Sequence, residues 1–574
     1  MKNPFSFSRN IAILNFSAHY CDTSESLLNS KGFRKILDSY LAHFQKRHRR
    51  AYERIATCAK NGNVTDYILR IIKLLFSLEM DDIARDSESE RELFQNTDDL
   101  IELVEGLYNY WRRIERFSVI YNRYYGEGLQ KVNFIEAIDK FNHLVLSTYR
   151  TILTRLTGKR IRVFRQLNAG VNAAVVLQKL SWSQQEIYKG LSPVLFIDSV
   201  ILNPPLILYP KQNRRESPFV EVDENPLIGL QLHREEWFCY PALVGHSLAY
   251  VFFHKDFLPL GLSLSNLFEL APLEYCKNRE PDLLYVFGYK DQESKTVFYH
   301  DKERDVVIGY VSYDEAYDYF GYLKKMILTL HNIRMIEQGK LPIHGAMVNL
   351  KLFNGQEKNI VIIGDSGAGK SESLEALRVL SGDYIKHMVV IFDDMGTFSL
   401  EDGEIVAYGT EIGAFIRLDD LDIGYAYRQI DRSIFMNPDR ENARVVLPVT
   451  TYADITRGYP IDLVLYANNY EEGEELEIFD DVETAKWVFI RGARRAKGTT
   501  SEKGLVESFF ANPFGPLQRK GQTLALIDLY FRHLFEKNIK VGQIRTGLAV
   551  PGQEQLGPMR VAEKLFKYIS CEEV

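Results

Sequence analysis

The chain has 574 residues, with 70 lysines and arginines against 77 aspartates and glutamates, which gives a formal net charge of −7. This slightly acidic balance offers no electrostatic reason to expect nucleic acid or an anionic membrane surface as a partner. The length allows several domains, and the 46% of hydrophobic residues is ordinary for a globular protein.

The five cysteines are far apart and form no CxxC pair. That spacing disfavours a disulfide framework or a zinc site and favours reduced thiols. The N-terminus lacks the continuous apolar segment of a signal peptide. The most apolar stretch, residues 193–209, contains Asp198 and Asn203 and is interpreted as buried strands rather than a membrane span. The expected location is the cytoplasm, with no membrane as a partner.

Helical periodicity dominates the first third of the chain. Ile68, Ile71, Leu75 and Leu78 recur at the three- and four-residue spacing of an amphipathic helix. Similar patterns continue from about residue 24, and no fixed-period repeat accompanies them. We therefore predict an all-α domain over residues 1–188.

The remainder of the chain has the texture of an α/β protein. Short β-rich runs begin near residue 190, and a helix is expected from about residue 313 to 337. From His344 the order is strand, glycine-rich turn, helix and strand. We predict an α/β substrate-side domain over residues 189–340 and a nucleotide-binding domain over residues 341–574.

The strongest motif follows an apolar strand at Ile360–Ile363. The sequence GDSGAGKS fits the pattern GxxxxGK[ST], and an amphipathic helix follows at once. Glycines let successive backbone amides surround phosphate oxygens, and the helix N-terminus adds partial positive charge. Lys370 is expected to reach the β- and γ-phosphates, and the Ser371 hydroxyl to bind Mg²⁺. The predicted nucleotide-binding residues of this segment are Gly364, Asp365, Ser366, Gly367, Ala368, Gly369, Lys370, Ser371 and Glu372.

A second apolar strand, in MVVIFDDMG, is expected to end at Asp393 and Asp394. Phosphotransferases of this class hold their metal ions with carboxylates at a strand end beside the glycine-rich loop. Asp393 could also orient water or act as general base toward a hydroxyl acceptor.

Motifs in a shared order resemble the phosphoenolpyruvate carboxykinases, whose nucleotide domain is related to that of the HPr kinases. The resemblance covers approximately residues 314–547. YFGYLKKMI resembles the carboxykinase segment whose second lysine, here Lys325, is a metal ligand. PIHGAMV resembles the segment with the metal-binding histidine, here His344, and FDDMG implies Asp394 as a further ligand. The wording around GDSGAGKSE is closer to the HPr kinases.

The resemblance also assigns residues to the transferring phosphate and the nucleotide. ENARVVLP resembles the motif whose arginine, here Arg444, contacts that phosphate, and a planar guanidinium suits it. KGTTSEKG, FFANPFG and QIRTGL resemble C-terminal nucleotide elements and imply Thr499, Arg545 and Thr546. The implied fold is the P-loop carboxykinase/HPr kinase type with a mixed sheet, and the implied cofactors are ATP, Mg²⁺ and Mn²⁺. The expected catalytic residues are Lys370, Asp393, Asp394 and Arg444.

Two departures leave the phosphoryl acceptor open. No segment like TGRSPKDK supplies the arginine that binds the carboxylate substrate of carboxykinases, and NRRESP at residues 213–218 is a faint substitute. The acidic stretch NNYEEGEELEIFDD replaces a proline-containing loop. We expect a kinase for a hydroxyl on a protein or small molecule, with carboxykinase chemistry and a nucleotide-sensing regulatory module as alternatives. The helical region resembles no carboxykinase and is expected to dock a protein partner or mediate self-association.

Overall fold

The computed structural model describes residues 3–60, 62–86, 88–121, 129–158, 169–182, 186–203, 205–214, 219–277, 279–291, 294–418, 430, 432–496, 504–554 and 556–570. The chain forms two compact units. The first comprises Met1–Lys179 and Ile197–Leu206, and the second comprises Leu180–Phe196 and Ile207–Val574.

The first unit combines helices with a small mixed sheet. Strand β1 is antiparallel to β2, and β2, β3 and β4 are parallel neighbours in that order. Its elements are β1 (Phe5–Ser8), β2 (Ile11–Asn15), α1 (Ser24–Leu28), α2 (Lys31–Arg47), α3 (Arg49–Cys58), α4 (Val64–Ser77), α5 (Met80–Asp86), α6 (Glu88–Phe94), α7 (Thr97–Arg113), β3 (Glu115–Tyr121), α8 (Leu129–Thr157) and β4 (Ala173–Gln178).

The prediction of an all-helical domain over residues 1–188 is wrong, because β1–β4 lie within it. Residues 115–120 and 173–177 are buried throughout. Strands covered on both faces lack the alternation of polar and apolar residues that marks a half-buried strand, and periodicity alone cannot separate them from helix. The helical prediction itself holds for α4, where Ile68, Ile71 and Leu75 are buried in the core.

The second unit is also α/β. Strands β5 (Leu195–Leu202) and β6 (Leu206–Leu208) span the division between the units. The unit continues with β7 (Val220–Glu221), β8 (Trp237–Val244), β9 (Ser247–His254), α9 (Leu258–Ser263), β10 (Glu269–Leu270), α10 (Leu273–Lys277), β11 (Leu283–Tyr289), β12 (Thr296–Asp301), β13 (Val306–Ser312), α11 (Phe320–Glu337), β14 (Leu341–Leu352), β15 (Glu357–Ile363), α12 (Lys370–Tyr384), β16 (Ile385–Glu401) and β17 (Glu404–Gly409). Its C-terminal elements are β18 (Gly413–Arg417), β19 (Ile434–Met436), β20 (Arg444–Pro448), α13 (Tyr452–Thr456), β21 (Tyr459–Pro460), β22 (Leu463–Asn468), β23 (Leu476–Ile478), α14 (Val482–Arg491), β24 (Ala493–Arg495), β25 (Leu505–Glu507), α15 (Lys520–Glu536), β26 (Lys540–Arg545) and α16 (Leu556–Ser570).

Two large mixed sheets organise this unit. One has the strand order β8-β9-β11-β13-β12-β7, and the other has the order β21-β17-β16-β14-β15-β22-β26-β23. In the second sheet β15, β22 and β26 are parallel, so their carboxyl ends share one edge. Strand β14 is antiparallel to both β15 and β16. The α/β class predicted from the sequence is confirmed for the second unit.

Two predicted boundaries differ from the structure. The helix expected from about residue 313 begins at Phe320, after a short 3₁₀ turn at Glu315–Tyr317. Strand β16 does not end at the aspartate pair but continues to Glu401. The pairing of β16 with β14 shifts by one residue just before the aspartate pair, as at a β-bulge, and the strand continues beyond it. No helix in the described part of the chain is long and apolar enough to span a membrane.

Candidate active site

The glycine-rich loop connects β15 to α12, as its motif predicts. Lys370 is the first residue of α12, and its buried ammonium donates to the carbonyl oxygens of Gly364 at 2.5 Å and Asp365 at 3.2 Å. Burial lowers the pKa of Lys370. The loop therefore encloses the Lys370 side chain, and the nearby carboxylates of Asp394, Asp365 and Asp393 offset part of the lowering of its pKa.

Two buried side chains support this loop from behind. Thr546 Oγ1 donates to the carbonyl of Ala368 at 2.8 Å, and Asn469 Nδ2 donates to the carbonyl of Gly367 at 3.0 Å. A Cβ on Gly369, whose φ is +103°, would lie 2.6 Å from Thr546 Oγ1. Thr546, which was predicted to bind nucleotide, therefore contacts the glycine-rich loop through the loop backbone. The sequence analysis did not identify Asn469, although a polar residue directly after a buried strand is a usual position for a site residue.

Asp365 ties the loop to a neighbouring strand. One carboxylate oxygen accepts from the backbone N–H of Ser366 at 2.7 Å, and the other accepts from Arg494 Nε at 2.9 Å. Burial alone would raise the pKa of Asp365, but His344 and Arg494 outweigh it and the pKa is lowered. Asp365 is therefore a charged structural anchor of the loop, and Arg494 is a partner that the sequence did not indicate.

Asp394 is the centre of a buried charge cluster. Its Oδ1 lies 2.8 Å from His344 Nε2, and its Oδ2 accepts from Lys325 Nζ at 2.8 Å and from Lys324 Nζ. The backbone of Asp394 has φ of +143°, an unfavourable value for a residue with a side chain. Such strain persists only where surrounding contacts impose it, and it is concentrated at functional sites. Lys325, His344 and Asp394, which the carboxykinase resemblance implies as ligands of one metal ion, lie together.

Lys324 and Glu411 belong to the same cluster and were missed by the sequence analysis. Lys324 has no exposed surface, and its Nζ lies 3.0 Å from Glu411 Oε1 as well as contacting Asp394. Burial disfavours the Lys324 ammonium, but the two carboxylates outweigh it and raise the pKa of Lys324. Burial raises the pKa of Glu411 to about 7, partly opposed by Lys324. Lys324 is a permanent cation here.

The two other basic groups around Asp394 have lowered pKa values. Burial lowers the pKa of Lys325, and Lys324 lowers it further against the opposing effect of Asp394. Burial also lowers the pKa of His344, with a further contribution from Lys370. Burial alone would raise the pKa of Asp394, but Lys324, Lys325 and the contact with His344 hold it well below the usual range. An imidazole and a carboxylate are common metal donors, and a lysine amine can become one only when it is deprotonated.

The tautomer of His344 strengthens this interpretation. Its Nδ1 lies 2.7 Å from the carbonyl oxygen of Ala511, which can only accept, so Nδ1 carries the proton. Its Nε2 lies 2.8 Å from Asp394 Oδ1, so the imidazolium form donates to that oxygen and the neutral form presents a lone pair there. The neutral form therefore offers Nε2 and Asp394 Oδ1 as two adjacent donor atoms for one metal ion. A histidine oriented through Nδ1 by a backbone carbonyl is also a usual arrangement for metal ligands.

Asp393 points to the loop helix rather than into the cluster of bases. Ser371 Oγ donates to its two carboxylate oxygens at 3.1 and 3.2 Å. Burial raises the pKa of Asp393, opposed by Lys370 and supported by the negative charge of Asp394. A carboxylate with a raised pKa beside the hydroxyl of the loop serine is suited to accept a proton.

Arg444 approaches the cluster across an aromatic ring. Its guanidinium carbon lies 5.5 Å from the ring centroid of Phe415, and Lys324 Nζ lies 5.9 Å from the same centroid. Within the described residues, Arg444 Nε is buried without a hydrogen-bond partner, and so is Glu411 Oε2. Buried polar atoms without partners are uncommon and frequently mark a place that a ligand or water fills.

Other predicted residues have different surroundings. Arg545 Nη2 donates to Glu477 at 2.5 Å and its Nη1 to the carbonyl of Glu474 at 3.0 Å, so it binds the acidic stretch. Thr499 lies outside the described residues, as do residues 215–218 of NRRESP. Asn213, at the start of that segment, donates to the carbonyl of Glu441 at 3.0 Å, close in sequence to Arg444.

No group of three or more His, Cys, Asp or Glu side chains is placed to hold a metal in the described part of the chain. The candidate set at Asp394 contains two such residues and relies on a lysine for its third donor. No known family model matches this chain, and a search of curated proteins finds no significant match.

Proposed function

We propose that the chain is an ATP-dependent, divalent-metal-dependent phosphotransferase of the phosphoenolpyruvate carboxykinase/HPr kinase type. It transfers the γ-phosphoryl group to a hydroxyl of a protein or small molecule. The observation that carries the proposal is the arrangement of Lys370, Ser371 and Asp393 on adjoining elements, with the Asp394 cluster next to Asp393 on the same strand. This arrangement supports the proposal, because a loop with the phosphate-binding sequence pattern lies beside side chains that can act as metal donors.

The loop residues bind and orient the phosphates. The backbone amides after Gly364 and the N-terminus of α12 attract phosphate oxygens. Lys370 exchanges its carbonyl contacts for phosphate oxygens, which its buried position makes favourable. Arg444 uses its unpartnered Nε toward the transferring group, since a planar guanidinium matches equatorial phosphoryl oxygens.

The cluster residues have a different task. Lys325, His344 and Asp394 would hold one divalent ion, and Ser371 with the nucleotide would hold another. Bound Mg²⁺ or Mn²⁺ neutralises the charge that develops on the phosphoryl oxygens. Lys324 keeps Asp394 ionised and fixed, because its own charge is stabilised by two carboxylates. Asp393 accepts the proton of the acceptor hydroxyl, for which its raised pKa is suited.

Carboxykinase chemistry is the second candidate. A carboxylate substrate needs a cationic side chain beside the transferring phosphate. Asn442 Nδ2 donates to the carbonyl of Asn213 at 2.6 Å, which brings the beginning of NRRESP to the segment before Arg444. That contact favours an arginine of this segment as a carboxylate-binding group.

The test is turnover of ATP with Mg²⁺ and Mn²⁺, alone, with a panel of hydroxyl acceptors, and with oxaloacetate. Lys370→Ala should reduce turnover by about 10²–10³-fold, the usual effect of removing one such electrostatic contact. The exposed Lys351 on β14 provides the control, and Lys351→Ala should turn over ATP normally. Formation of phosphoenolpyruvate from oxaloacetate and ATP would support the carboxykinase alternative instead. Tight ATP binding without turnover under any condition would contradict phosphotransfer and favour a nucleotide-sensing regulatory module.

A further inference from the structure

The first unit contains an apolar cavity that phosphotransfer does not use. Its volume is about 470 Å³, and its floor is formed by buried side chains that include Ile72, Val104, Leu107, Phe141 and Ile152. Protein cores are close-packed and rarely leave voids much larger than a water molecule. Cavities of roughly 300–1,000 Å³ with apolar linings are the usual form of small-molecule sites.

The cavity lies at the carboxyl end of β2. Leu14 near the end of that strand lines it, together with Phe16, Ala18 and His19, which follow the strand. Phe5 of β1, which pairs with Leu14, lines it as well. Strand β2 is parallel to β3, and open α/β sheets bind their ligands beyond the carboxyl ends of parallel strands. The position in the sheet therefore supports a ligand site independently of the volume.

The mouth of the cavity differs chemically from its floor. His19, Asn29 and Lys31 are exposed there, and Ser30 caps α2 through a hydrogen bond from the N–H of Phe33. Among the described residues that line the cavity, Lys31 is the only lysine or arginine, and no aspartate or glutamate lines it. The first turn of α2 contains no acidic residue, so its partial positive charge adds to that of Lys31.

We propose that the first unit binds a small amphiphilic organic anion. The apolar body, of roughly a dozen carbon atoms, fills the cavity, as expected for a site of this volume. The carboxylate, sulfonate or phosphate head lies at the mouth, beside Lys31 and the N-terminus of α2. The proposal does not depend on the phosphotransfer reaction of the second unit.

The test uses the full chain and the fluorescent anion 1-anilinonaphthalene-8-sulfonate, with decanoate, decanol and decylamine as competitors. Val104→Phe and Val145→Phe each place a larger side chain into the cavity, and Ile135→Phe makes the same kind of change at a position that is 44% exposed. We expect one high-affinity probe site that decanoate empties. Either cavity variant should weaken probe binding at least tenfold, and Ile135→Phe should leave it unchanged.

Lys31→Glu completes the test, because Lys31 is exposed and its replacement leaves the core intact. Decanoate should bind this variant at least fivefold more weakly, whereas decanol should compete as it does with the parent. The proposal is overturned if both cavity variants bind the probe like the parent, or if decylamine competes as well as decanoate. If the phenylalanine variants fail to fold, as judged by circular dichroism, unchanged decanoate affinity of Lys31→Glu overturns it alone.

Discussion

Gly369→Ala examines whether the glycine-rich loop must keep its observed conformation to bind nucleotide. The substitution places a side chain at φ of +103°, with the new Cβ 2.6 Å from Thr546 Oγ1. A strained backbone of this kind costs roughly 1–3 kcal/mol, and overpacking a tight site costs about 1–3 kcal/mol more. The loop relieves both by leaving this conformation. Affinity for MgATP should therefore fall by at least ~2 kcal/mol, or about thirtyfold at 1.4 kcal/mol per factor of ten.

Gly355→Ala is the matched control for backbone strain. Gly355 lies between β14 and β15 with φ of +88°, and a Cβ there would meet no atom within 4 Å. It should lower stability by about 1 kcal/mol, the cost of alanine at a positive φ, and leave nucleotide affinity unchanged. Isothermal titration with MgATP and thermal unfolding are measured on both variants. If Gly369→Ala binds MgATP as the parent does, the loop is not the phosphate site. If both variants lose the same amount of MgATP affinity, the loss reflects general backbone strain rather than the loop.

Two further predictions concern buried charge. Asp394→Asn should abolish Mn²⁺ binding and lower the free energy of unfolding by roughly 3–5 kcal/mol, since Lys324 loses a partner in the interior; unchanged urea unfolding would contradict this. Burial lowers the pKa of His331 to about 4, with His246, Lys340 and Arg334 facing it. The unfolded state, whose histidine pKa is near 6.5, binds more protons between about pH 6.5 and 4. The free energy of unfolding should therefore decrease as the pH is lowered from about 6.5 to 4. His331→Gln should remove about 3 kcal/mol of that decrease, at roughly 1.4 kcal/mol per pKa unit. Parallel acid-denaturation curves for parent and variant would refute the assignment.

The sequence predicted the site best where a local motif also fixes the secondary structure around it. The loop at Gly364–Ser371 needs a strand before it and a helix after it, and β15 and α12 meet that requirement. Lys325, His344 and Asp394 were assigned from motifs separated by many residues. Helix α11 and the paired strands β14 and β16 bring them within hydrogen-bonding distance.

The remaining site residues depend on partners that only the fold reveals. Lys324 and Lys325 are adjacent in sequence, and nothing local distinguishes the lysine that also pairs with Glu411. Asn469 and Arg494 act on the loop from distant segments, so their roles could not be read from their neighbours. Strands β3 and β4 of the first unit were missed because burial on both faces removes the alternating pattern.

A crystal structure of the full chain with Mn²⁺ and a non-hydrolysable ATP analogue would test both the proposed nucleotide site and the proposed metal site. We expect phosphate oxygens against the backbone amides of residues 365–370, within reach of Lys370. We also expect a manganese anomalous peak at Asp394 Oδ1 and His344 Nε2. An ordered nucleotide bound elsewhere, or manganese absent from Asp394 at saturating concentration, would contradict the proposal.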